Sequence, residues 1–179
     1  MKWANNFTEI DDVIAERKDI RDEMISLINS RDIYGKVLEG VSRISEFRKI
    51  LIELTNGNIS IQQATYNTVA KLPQSSSKYN NEGRVFPKDW AERLVQIQFS
   101  RFYNQAVLNL LLNAGESQCY IPTTPTQKPD SVCAKELAGR NHSIKILLSR
   151  LINSYENGIF TKDPKVPNHL RCSHVVKSI

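Results

Sequence analysis

The chain has 179 residues, enough for one domain, or one core domain with a helical arm, and for a hydrophobic core without disulfide staples. With 40% apolar and 24% charged residues, it excludes wholesale disorder, collagen and a pure coiled coil. The net charge of +5 is unevenly placed: residues 1–133 balance sixteen basic against sixteen acidic side chains, so the excess lies from Ala134 onward, where only Glu136, Glu156 and Asp163 oppose eight basic residues. A tail this mildly basic suits phosphates or an acidic protein surface, but it is too dilute for a dedicated nucleic-acid binder.

The longest apolar stretch, Val107 to Leu112, is interrupted by Asn109 and falls far short of the ~20 residues that span a bilayer. Residues Met1 to Asn6 lack the apolar run of a secretory signal. The expectation is a soluble protein made in a cytoplasm, with no membrane partner.

A first amphipathic helix is predicted from Thr8, with Asp11 as a short-armed partner in a capping box. Ile10, Val13, Ile14, Met24, Leu27 and Ile28 form its apolar stripe, which seeks a partner surface: another protein, or the second helix as a hairpin. That second helix runs from about Gly35 to Leu54, with Val37, Val41, Ile44, Phe47 or Arg48, and Leu51 facing inward. Thr55-Asn56-Gly57-Asn58 closes it, because glycine tolerates the left-handed conformation that ends a helix. Ser60 with Gln63 is a capping box for a third helix to Leu72, and a polar loop follows through Gly83.

The fourth helix runs from near Pro87 to Asn113 with Gly115 as its stop. Apolar residues cover most of its circumference, the mark of a buried central helix. Gln118 to Ile121 reads as a strand, and Pro122, Pro125 and Pro129 punctuate a loop. Ser143 caps a fifth helix, Ile144 to Tyr155, closed by Asn157-Gly158, and a loop holding Pro164 and Pro167 leads to a terminal strand, Cys172 to Val176. The predicted fold is α+β and mainly helical. An N-terminal helical region (1–72) and a linker (73–89) precede a domain (90–179) made of the long core helix and a small α+β unit.

The three cysteines are Cys119, Cys133 and Cys172. An odd count without an export signal argues against a disulfide framework and leaves free thiols or metal ligands. Cys133, His142, His169, Cys172 and His174 all fall in the C-terminal unit. On a strand, Cys172 and His174 point to one face; His169 can curl back from the preceding turn, and Cys133 can join from across the fifth helix. Cys133, His169, Cys172 and His174 would then form a closed tetrahedral zinc site. The competing reading makes these cysteines small buried apolar residues and these histidines hydrogen-bonded core residues, as expected for Cys119.

No Gly-rich phosphate loop, nucleophile elbow or HExxH motif is present, so catalysis is not expected. The enzyme alternatives are a Cys133 nucleophile with His169 or His174 as base, and a metal-dependent nuclease using Asn168, His169 and His174. A small zinc-stapled nucleic-acid-binding module is a further alternative.

Several short motifs occur in a distinctive order. Arg101-Phe102-Tyr103-Asn104-Gln105-Ala106 is followed by Gly115 and the Cys119–Ile121 strand, then Asp130-Ser131-Val132-Cys133 and Leu137-Ala138-Gly139. The helix containing Ile144-Lys145-Ile146-Leu147-Leu148 comes next, and the ending is Val166-Pro167-Asn168-His169-Leu170-Arg171-Cys172-Ser173-His174. In order and spacing, over about ninety residues from Trp90 onward, this resembles the phage head-morphogenesis family, the minor head proteins typified by the F protein of phage Mu. It departs from the family where Gln96, Ile97 and Gln98 replace Arg-Thr-Glu, Glu136 stands where many members have a second Cys, Leu170 replaces Pro and His174 replaces Cys. The resemblance implies a minor structural protein of a tailed-phage head, located in the virion at the portal vertex. Its partners would be the portal protein or other head proteins, with the basic tail touching packaged DNA. The Cys/His cluster would then staple the small unit, a structural and not a catalytic role.

Overall fold

The computed structural model describes residues 2–126 and 128–179. Among these residues, seven α-helices and one two-stranded antiparallel sheet make the mainly helical α+β fold that the sequence predicts. No helix among them is long and apolar enough to cross a membrane.

The first predicted helix is two helices, α1 (Ile10–Glu16) and α2 (Lys18–Ser30), parted at Arg17. The Arg17 guanidinium stacks 4.4 Å from the Trp3 ring centre and bonds Asp19 at 2.6 and 2.8 Å, tertiary contacts that leave no helical trace in the sequence. A 3-10 turn, Phe7–Glu9, leads into α1 and carries the cap, two residues earlier than Thr8. The Asn6 side chain accepts from the Thr8 N–H at 2.9 Å, and Glu9 reaches back to the Asn5 N–H at 2.9 Å. Ile10, Val13, Ile14, Met24, Leu27 and Ile28 are all buried, and α2 packs on the third and fifth helices. The apolar stripe is thus covered within the molecule, which overturns its use as a docking face for another protein.

The second predicted helix begins later, as α3 (Val41–Thr55), after a 3-10 turn at Lys36–Leu38 and a bend at Gly40 with φ +118°. Val41, predicted to face inward, is 89% exposed as the first residue of α3, and Leu38 of the preceding 3-10 turn is buried instead. Phe47 is buried, while Arg48 ties off α2 by donating to the carbonyls of Ile28 and, at 2.8 Å, Arg31. The α3 terminus closes as predicted: Gly57, with φ +73°, donates to Leu54 O at 3.0 Å and Asn58 donates to Glu53 O at 3.0 Å. Helix α4 (Ile61–Lys71) starts where Ser60 Oγ accepts from Gln63 N at 3.2 Å, but the Gln63 side chain turns to Asn67, so only half the capping box forms.

Helix α5 (Trp90–Asn113) is the predicted central helix, packed by α2, α3, α4 and the last helix, with residues 98–108 all buried. Strand β1 (Gln118–Ile121) forms as predicted. It pairs with β2 (Arg140–Ser143) in a register that sets Cys119 opposite His142. Neither β2 nor the short helix α6 (Val132–Glu136) between them was predicted. Helix α7 (Ile144–Tyr155) matches its predicted limits, although the Ser143 side chain makes no capping bond.

The predicted terminal strand, Cys172 to Val176, is a correction. These residues are not part of a strand, and one bridge, Tyr120 to Lys177, joins the segment to β1. Its backbone groups go elsewhere: Ser173 O accepts from Phe7 N at 2.9 Å, and Val176 N donates to Asn104 Oδ1 at 2.7 Å. One continuous cluster of buried apolar side chains runs from Ala4 to Val176, so the helices of residues 1–72 share a core with the C-terminal unit.

Candidate metal centre

Helix α6 presents Cys133. Ser131 caps it by accepting from Ala134 N at 3.3 Å, and the same hydroxyl lies 3.4 Å from Cys133 Sγ. The other side of the centre is a turn in which Cys172 N donates to His169 O at 3.2 Å. The turn needs a left-handed residue, supplied by Arg171 at φ +61°, and Arg171 is held from outside by Asp89 at 3.1 Å and Glu92 at 3.7 Å on the α5 side. Tyr155 of α7 anchors the preceding loop by donating to Pro167 O at 2.8 Å.

This scaffold brings Cys133, His169 and Cys172 together as a group that can hold a metal ion. Cys133 Sγ lies 3.3 Å from His169 Nε2 and 3.9 Å from Cys172 Sγ. Tetrahedral zinc, with its usual bond lengths, sets sulfur and nitrogen ligands about 3.5–3.8 Å apart, so the donors are spaced to fit. His169 donates from Nδ1 to Leu170 O at 2.7 Å, which leaves the Nε2 lone pair facing the sulfur.

His174 is buried and donates from Nδ1 to Pro122 O at 3.2 Å. Its Nε2 is sealed from solvent and has no hydrogen-bond partner among the described residues. The same tautomer leaves its Nε2 lone pair unbonded, but His174 is not one of the three residues whose ligand atoms come together. The Cys133 thiol is held well below its ordinary pKa, first by the Cys172 thiol donating to it and also by the Ser131 hydroxyl, against the effect of burial. Cys172, which gives up its hydrogen bond to that thiolate and is deeply buried, is pushed up. A readily ionised thiol beside a second cysteine and an imidazole lone pair is the donor chemistry a soft or borderline cation takes.

Two of the sequence candidates stand apart. His142 bonds Leu137 O at 2.8 Å through Nε2 and lies outside the group. Cys119 is buried in β1, where burial pushes its thiol up to about 12, as suits a packing residue. The sequence reading missed Ser131, and the signal for it was the cap position it occupies. It also missed the carbonyls of Leu170 and Pro122, which no side-chain pattern reveals.

The motif residues of α5 serve as ties. Arg101 is 0% exposed and bonds Glu156 at 2.7 Å, and Gln105 bonds the same carboxylate at 2.8 Å. Tyr103 Oη accepts from Ala4 N at 3.2 Å. No protein-family model, curated protein or solved structure matches the chain.

Proposed function

We propose that the chain is a minor structural protein of a tailed-phage head, bound in few copies at the portal vertex. In this reading its C-terminal unit is stapled by zinc held by Cys133, His169, Cys172 and His174. The observation that carries it is the meeting of two motif segments of the head-morphogenesis resemblance, Asp130 to Cys133 and Pro167 to His174, at one point with metal-ligand spacing. Bound zinc would contribute directly to folding free energy by joining α6 to the C-terminal turn. The burial of Cys133, Cys172 and His174 favours a closed structural site over a nuclease, which needs an open coordination position for water or substrate. The portal protein or another head protein is the partner, and the basic last quarter supplies weak, salt-sensitive contact with packaged DNA.

The test is quantitative mass spectrometry of purified virions, counting this chain against the major capsid protein. A few copies to a couple of dozen per particle is the expected result. Hundreds would point to a capsid or decoration role, and absence from virions and immature heads alike would overturn the proposal.

A further inference from the structure

A cleft of about 440 Å³ opens between the first half of α5, the end of α7 and the loop that follows it. Its inner walls include Trp90, Leu94, Ile97 and Tyr155. Its lining also includes Tyr34, Phe160 and Leu170, which are 54%, 74% and 42% exposed. Large apolar side chains gathered at one cleft, instead of scattered singly, mark an interaction site. Tyr34 and Phe160 already pack edge to face at 5.8 Å, so this part of the lining is ordered before anything binds.

The polar lining is one-sided. Arg84, Arg93 and Lys165 contribute cations, and no carboxylate is among the described lining residues. Arg84 and Arg93 pair with Glu82 at 3.5 Å and Asp89 at 2.7 Å. Lys165 makes no ion pair with any described residue; it lies partly buried, with its ammonium 5.9 Å from the Tyr155 ring centre. Gln98 is 3% exposed, lines the cleft, and its Oε1 has no hydrogen-bond partner among the described residues. A buried amide oxygen left unpaired is costly, and most such groups in folded proteins find a partner. By turning about its last bond, this amide can offer either a donor or an acceptor to an incoming main chain.

We propose that the cleft docks a segment of a partner protein carrying one large apolar side chain beside a carboxylate. The apolar group fills the space between Trp90, Leu94 and Ile97, the carboxylate meets Lys165, and Gln98 bonds the main chain of the segment. Single-stranded nucleic acid also favours cations beside aromatic rings. It fits less well here, because two of the three cations are already paired and the Tyr34 and Phe160 rings pack on each other. This surface stands whether or not the chain is a head protein.

The experiment uses the full chain and two capped, fluorescein-labelled peptides of equal length with a central tryptophan–leucine pair, one flanked by glutamates and the other by lysines. Anisotropy titration at low salt should show saturable binding of the glutamate peptide, at least about tenfold tighter than the lysine peptide. The charge-swapped variant Arg84→Glu/Lys165→Glu should reverse that order. Phe160→Ala, at an exposed position, should weaken the glutamate peptide about threefold or more. Gln98→Leu should weaken binding while leaving the melting temperature unchanged or higher, an outcome that loss of packing would not produce. Equal binding of the two peptides, no saturation by either, an order that survives the charge swap, or unaltered binding by Gln98→Leu overturns the proposal. So does a labelled oligothymidylate that outcompetes the glutamate peptide and is itself lost in the swap.

Discussion

The side-chain oxygen of Asn104, in the middle of α5, accepts the backbone N–H of Val176 at 2.7 Å, a bond between residues 72 positions apart. Asn104 also donates from Nδ2 to Ser100 O at 2.8 Å, which fixes the amide so that its oxygen points at the terminal segment. At Val176 the extended stretch after Cys172 is therefore held by a side chain, while one residue on, Lys177 exchanges backbone bonds with Tyr120 of β1.

Asn104→Leu should leave the buried Val176 N–H without an acceptor and cost about 1–3 kcal/mol. Urea unfolding measures the loss, and amide exchange at Val176 should quicken more than exchange within α4. A variant as stable as the parent would show that this bond carries no weight.

The Arg101–Glu156 pair gives a sharper contrast, since both partners are buried and the guanidinium is pulled down to about 10 by desolvation, with Glu156 opposing that fall. Glu156→Ala strands a buried cation and should cost about 3–5 kcal/mol. The double replacement Arg101→Met/Glu156→Leu should restore most of that loss. If the double variant is no better than the single one, the cost of Glu156→Ala lies in packing and not in the uncompensated charge.

Zinc should bind with one equivalent per chain, and a chelator should lower the melting temperature, because metal binding is folding free energy here. His169→Ala and Cys172→Ala should each abolish stoichiometric binding. His174→Ala separates the two ligand sets: weaker zinc binding by about tenfold or more makes it the fourth ligand, and unchanged affinity with lower stability makes it a packing residue. Affinity should fall on acidification, since thiols and imidazoles must lose protons to bind. A chain that melts identically with and without chelator, and carries no zinc by elemental analysis, would end the staple.

Alkali should expose the Tyr103 phenol as a stability determinant. Burial pushes it up to about 12 from 10.0, so the fold prefers the neutral form. Its contribution is complete below about pH 10, declines above that and is gone above about pH 12, a span equivalent to about 2–3 kcal/mol. Cys119, also raised to about 12, adds a decline that begins lower, near its ordinary 9.0. Tyr103→Phe should therefore flatten the upper part of the alkaline loss while costing the bond from Ala4 N at neutral pH. Parallel pH profiles for the two proteins would contradict the assignment.

The well-read elements of this chain carry their signals locally. Gly57 and Gly115 end α3 and α5 by adopting positive φ, Ser60 caps α4, and the periodicity of residues 144–155 gives α7 its limits. Strand β2 is Arg-Asn-His-Ser, without apolar alternation, and exists because β1 pairs with it. Helix α6 is five residues long, too short for any period to show. The break at Arg17 follows from a stacking contact with Trp3 that no helix rule contains. At the metal centre the sequence named the three residues that meet together with His174, which falls outside that group, and it did so for a geometric reason that does not hold. Period-two alternation was to orient Cys172, whereas the left-handed Arg171 turn places it against His169 and Cys133.

The stitches around residues 4–7 have an implication for how the fold loosens. Phe7 N donates to Ser173 O at 2.9 Å, and Asn5 Oδ1 accepts from Lys177 Nζ at 2.9 Å, so residues 5–7 and 173–177 hold one another. Freeing either segment strips the other of these partners, and the two should fray as one unit.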